Sequence, residues 1–232
     1  MNIPHRHTLR ALARLLSYPD DALLAQAPAI ADLLADGTGL SAPAQAGLVT
    51  LVRELLTVDP LALQAAYVET FDRGRRTSLH LFEHVHGDSR DRGPAMIDLG
   101  QMYAKSGLLL ADGELPDYLP AVLEFASTQD AATARSFLGE MAHILHAVHD
   151  ALAERGSAYA GVLAAVLDVA GEHAHAVARR SAPEADEPLD ASWAEPEAFN
   201  GCSSAGQAAP NQAQPVHVVR RSPASQRSGA AA

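Results

Sequence analysis

Cysteine occurs once, at Cys202, and lysine once, at Lys105, in a chain of 232 residues. A single cysteine excludes a disulfide framework and any thiolate zinc cluster, and it fits a reducing compartment. Aromatic residues are scarce, and no apolar run reaches the ~20 residues needed to span a bilayer. The N-terminal stretch MNIPHRHTLRALARLLSYPDD carries its basic residues inside the Leu/Ala pattern rather than ahead of it, so neither signal peptide nor anchor is expected. A cytoplasmic location is therefore the expectation. Positive charge is also short: 17 basic residues against 28 acidic ones leave a net charge of -11, which repels nucleic acid and anionic lipid and favours basic peptides as partners.

What the chain has in quantity is helix. Leu9, Leu12, Leu15 and Leu16 recur at helical spacing before Pro19, and a short second helix runs to about Asp36. Pro43 opens a third with Leu48, Leu51, Val52, Leu55 and Leu56 on one stripe, and Asp59-Pro60 starts a fourth through Phe71. The stretch TSLHLFEHVH reads as a fifth helix ended by Gly87, and Pro94 begins a sixth that closes near Gly107. DGELPDYLPAVLEFAS makes a seventh, 129 to 155 a long eighth capped by Gly156, and SAYAGVLAAVLDVAGEHAHAVARR the last. Alternating β-branched runs with hairpin turns are absent, so the fold class is all-α. A single helical domain is expected over 1-181.

Composition changes after residue 181, where six of the 14 prolines fall between Pro183 and Pro223 among Ala, Ser, Gln and Gly. Such a segment buries too little apolar area to offset its ordering entropy, so 182-232 is expected to be a disordered tail. It contains an aromatic-acidic island at 187-199, with Trp193 and Phe199.

Two metal readings arise from the histidines. His80, Glu83 and His84 form H-x-x-E-H, and on a helix at about 100° per residue they share one face, as a zinc hydrolase needs. That face is equally what a solvated surface presents. Glu83/His86 and Glu140/His143 are two Glu-x-x-His pairs of the kind used by di-iron bundles, but the second pair points away from the apolar stripe of its helix. His143, His146 and His149 read as a polar face, with His149 at its edge. A metal-dependent helical enzyme therefore stands as the contrasting reading, and no metal ligand set is assigned.

Taken whole, SLHLFEHVHGDSRDRGPAMIDL, continued by YAKSGLLLADGELPDYLPAVLEFAS and echoed in the tail by LDASWAEPEAF, resembles the NarJ-type nitrate reductase molybdenum cofactor assembly chaperones. These are a branch of the all-helical redox enzyme maturation proteins related to TorD/DmsD-type chaperones. The resemblance covers residues 67 to 127 most fully. It implies a helical bundle that is not an enzyme and holds no cofactor stably. Such a protein binds the apo catalytic (alpha) subunit of respiratory nitrate reductase, notably its N-terminal peptide, until molybdenum cofactor is inserted. Molybdenum cofactor biosynthesis proteins are further implied partners, and nucleic acid and membrane insertion are not.

A chaperone for a short basic segment needs an apolar seat with acids at its rim. The expected partner-binding residues are Glu83, His84, His86, Asp88, Arg90, Asp91, Arg92, Glu114, Asp117 and Tyr118. Asp88, Arg90, Asp91 and Arg92 alternate in sign around Gly93-Pro94, which suits a local ion-pair network at the turn. Glu114 and Asp117 flank Pro116 at the expected start of a helix, where negative charge is favoured and Tyr118 adds an aromatic surface.

Overall fold

The computed structural model describes residues 5–35, 40–86 and 90–177. Ten α-helices and one 3-10 turn succeed one another: α1 His5–Leu15, α2 Asp21–Ala35, α3 Ala42–Thr57, α4 Pro60–Phe71, the turn Arg75–Thr77, α5 Leu81–Val85, α6 Arg92–Lys105, α7 Leu119–Thr128, α8 Ala131–Glu140, α9 Ala142–Glu154 and α10 Ala160–Ala170. No β-strand occurs among the described residues, and the all-α expectation holds. The tail expectation, the island at 187-199 and Cys202 lie outside them, as does Asp88.

Local chemistry sets the helix starts. The Ser41 hydroxyl accepts the Ala44 amide with Pro43 in the first turn, and the Asp59 carboxylate accepts the Leu61 and Ala62 amides ahead of Pro60. α10 is apolar except for Asp168 and buries Val162, Leu163, Ala165, Val166 and Leu167, so it forms the axis of the core. It packs on α3, α8 and α9, while α1 lies along α7 and α2 along α3. α10 and α3 cross where glycine meets glycine: a Cβ at Gly161 would stand 2.5 Å from the Gly47 Cα. No described helix is long and apolar enough to cross a membrane.

Four expected elements differ. The stretch from Thr77 is helical only from Leu81, because His80 sits in an extended backbone (φ -87, ψ 101) paired with Tyr118. The acidic stretch becomes helical only at Leu119. The long helix from 129 breaks at Met141, which ends α8 and starts α9 just after Gly139, a weak helix former. The last helix stops at Gly171, whose left-handed φ of 86 lets the Glu172 amide return to the Leu167 carbonyl.

Candidate functional site

The loop before α7 is joined to the segment before α5 by two backbone hydrogen bonds, Leu81 N–H to the Asp117 carbonyl (3.0 Å) and Leu119 N–H to the Leu79 carbonyl (2.8 Å). Around this short antiparallel bridge the side chains converge. Asp117 is fully buried. Its carboxylate accepts the Phe82 amide at 3.1 Å, meets the His80 Nδ1 at 3.4 Å and lies 3.8 Å from the Arg92 guanidinium. The first amides of α5, a helix too short to stand alone, thus find their acceptors on a loop 35 residues away.

Glu83 extends the network. One of its oxygens takes the Ser78 hydroxyl at 2.6 Å and the other the Arg92 guanidinium at 3.4 Å. Arg92 at the start of α6 therefore ties α6 to both α5 and the acidic loop. The His84 Nε2–H donates to the Ser78 carbonyl at 2.9 Å, and His86 lies edge-on to Phe82. His80 stacks obliquely against Tyr118, and its pKa is raised, first by the hydrogen bond to Asp117. The Tyr118 hydroxyl meets that of Tyr67 at 3.2 Å, and Tyr67 donates to the Leu16 carbonyl. Burial raises the pKa of both phenols.

This geometry revises several expectations. Asp117 is not a rim residue: it organises the junction from inside, whereas Glu114 is exposed and closes only a local turn with Ala111. Arg92 pairs across the fold with Glu83 and Asp117. Asp91 immediately precedes α6 and makes no capping side-chain hydrogen bond to it, and Arg90 is exposed. The H-x-x-E-H residues do not share a helix face, because His80 precedes the helix and the other two turn towards Ser78. Among the described residues no three potential ligands are gathered around one metal position. Further along, His149 is buried rather than at an edge, bonded to Asp150 and covered by His175, which also stacks on His146.

Sequence patterns did not reveal Ser78, Tyr67 and Tyr103 as parts of this site, and marked His80 only as a zinc candidate. Tyr103, on α6, donates to the Pro116 carbonyl at 2.8 Å and so holds the acidic loop from the opposite side.

Beside this polar junction, α5, α6 and the connector after α6 expose apolar and acidic side chains. Val85, Ile97, Met102, Leu109 and Leu115 are exposed, Leu109 at 87%. Asp98, Asp112 and Glu114 stand exposed on the same segments, with Lys105 and Arg90 as exposed cations. A separate groove of 350 Å³ opens between Tyr18 and α4, lined by Ala65, Val68 and the Glu69–Arg73 ion pair.

The model of the family described as nitrate reductase delta subunit matches residues 38–165, which span α3 to α10 and contain the whole junction. The chain belongs to this family. It is 43% identical over 190 residues to the nitrate reductase molybdenum cofactor assembly chaperone NarJ of Escherichia coli K12, covering 79% of this chain and 80% of the relative. It is 39% identical over 163 residues to the probable assembly chaperone NarW of the same organism, covering 70% of this chain and 68% of that one. A probable assembly chaperone NarJ of Bacillus subtilis is 33% identical over 168 residues, covering 72% and 90% respectively. All three relatives are named as assembly chaperones.

Proposed function

We propose that the protein is a cytoplasmic assembly chaperone that binds the apo catalytic subunit of a respiratory nitrate reductase, including its N-terminal segment, and keeps it open for molybdenum cofactor insertion. The observation that carries this reading is the pairing of exposed apolar side chains (Val85, Ile97, Met102, Leu109, Leu115) with exposed acids (Asp98, Asp112, Glu114) on consecutive segments. An amphipathic basic segment is the complement of such a surface: its apolar side covers the aliphatic residues, and its cations meet the acids, which set orientation and speed encounter. Beneath this surface the buried Asp117, with the half-buried Arg92, Glu83 and His80 around it, joins α5, the start of α6 and the acidic loop. No residue of the chain is assigned to hold the cofactor, which on this reading enters the partner rather than the chaperone.

The test is co-purification of the apo catalytic subunit with the full chain. Glu114→Lys is expected to reduce the recovered complex while leaving thermal stability unchanged, because Glu114 is exposed and bonds only within its own turn. Undiminished recovery would remove the acidic loop from the binding surface.

A further inference from the structure

Among the described residues α6 packs less on the other helices than any other helix does. It buries Leu99 and Tyr103 in a small aromatic cluster that is separate from the main core and is completed by Phe125 of α7, with Phe82, Phe137, Leu108 and Leu110 partly buried around it. Tyr103 lies against Phe125 at 4.7 Å between ring centroids, and Phe125 meets Phe137 edge-on at 5.0 Å. Two polar tethers complete the attachment: the Tyr103 hydroxyl on the Pro116 carbonyl at one end, and Arg92 on Glu83 and Asp117 at the other.

The connector after α6 is built to turn. Gly107 and Gly113 both have left-handed φ, 81 and 86, and a side chain added at either would meet nothing within 4 Å. Between them Leu109 is 87% exposed, and on α6 itself Ile97 and Met102 face solvent while Leu99 and Tyr103 face inward. A helix apolar on both sides, lightly packed and succeeded by two unencumbered left-handed glycines, belongs to the low-stability end of a fold, where sub-global opening occurs.

We propose that α6 with its connector is a lid: it lifts from Phe82, Phe125 and Phe137 and exposes an aromatic cleft that receives the apolar side chains of the client segment. The inference rests on the client-binding reading under Proposed function. It adds that the closed form binds weakly and that affinity is reduced by the small fraction of open molecules. Loosening the lid must therefore strengthen client binding, whereas losing a contact residue would weaken it.

The test uses Tyr103→Phe in the full chain, which removes the tether to Pro116 and keeps the ring. Loss of one net hydrogen bond raises the open fraction about fivefold. Affinity for the N-terminal peptide of the catalytic subunit, measured by calorimetry, should rise by about that factor, and amide exchange over α6 should accelerate while α10 is unchanged. In the wild type, α6 amides should exchange by an opening that responds to denaturant less than global unfolding does, because it exposes only the aromatic cleft. Wild-type exchange over α6 as slow as over α10, or unchanged or weaker peptide binding by Tyr103→Phe, overturns the lid. If the peptide binds neither protein, the client reading fails, and exchange over α6 alone then decides whether the lid exists.

Discussion

Replacing Asp117 separates an organising role from a surface role. Its carboxylate is fully buried and serves three partners: the Phe82 amide, His80 and Arg92. Asp117→Ala leaves a buried amide without an acceptor, at about 1–3 kcal/mol, and strips Arg92 and His80 of a shared counter-charge. Arg92 keeps Glu83 and both cations reach solvent, so the lost ion pairs add little to that cost. Asp117→Asn keeps an oxygen for the Phe82 amide and loses only the charge, so its cost should be about 1–2 kcal/mol. Urea denaturation monitored by far-UV circular dichroism measures both, with Glu114→Lys as the exposed comparison within about 0.5 kcal/mol of wild type. Asp117→Ala also within about 0.5 kcal/mol of wild type would refute the organising role of this carboxylate.

The helix crossing and the histidine give two further expectations. Gly161→Ala places a methyl group 2.5 Å from the Gly47 Cα, and the α3–α10 pair must separate at a cost of about 1–3 kcal/mol, read as a lower urea midpoint. His80 has a folded pKa above its ordinary value of 6.5, so its contribution to stability is complete below that value and is lost as pH rises through the raised one. His80→Gln should flatten this part of the stability profile, and an unchanged profile would assign the pH dependence elsewhere.

Helix starts were legible where they rest on local chemistry. Pro43 and Asp59-Pro60 mark α3 and α4 because caps and proline act within a turn. The apolar stripes of α1 and α3 likewise announce their buried faces at Leu9, Leu12, Leu48 and Leu51, but Leu56, expected on the α3 stripe, is exposed at the end of that helix. What stayed hidden depends on distant partners. Asp117 looked like an acid at a helix start, yet it caps a different helix, and no local pattern reports that the chain around Leu81 lies beside it. His80 carried a zinc-like spacing that presumes a helix, but pairing with Tyr118 holds its backbone extended. His149 belongs to a polar stripe in sequence and is buried because His175 returns across it after the turn at Gly171. Glu114 is exposed, as an acid on a polar loop is expected to be, while Tyr67 and Tyr103 act through hydroxyl groups that hydropathy patterns count as core.

Client binding is tested most directly by calorimetric titration of the full chain, in chelator and at two salt concentrations, with the N-terminal peptide of its cognate nitrate reductase catalytic subunit. Saturable binding that weakens as salt rises is the expected result, because exposed acids contribute to it. Absence of binding between folded protein and peptide would contradict the chaperone's recognition of that segment.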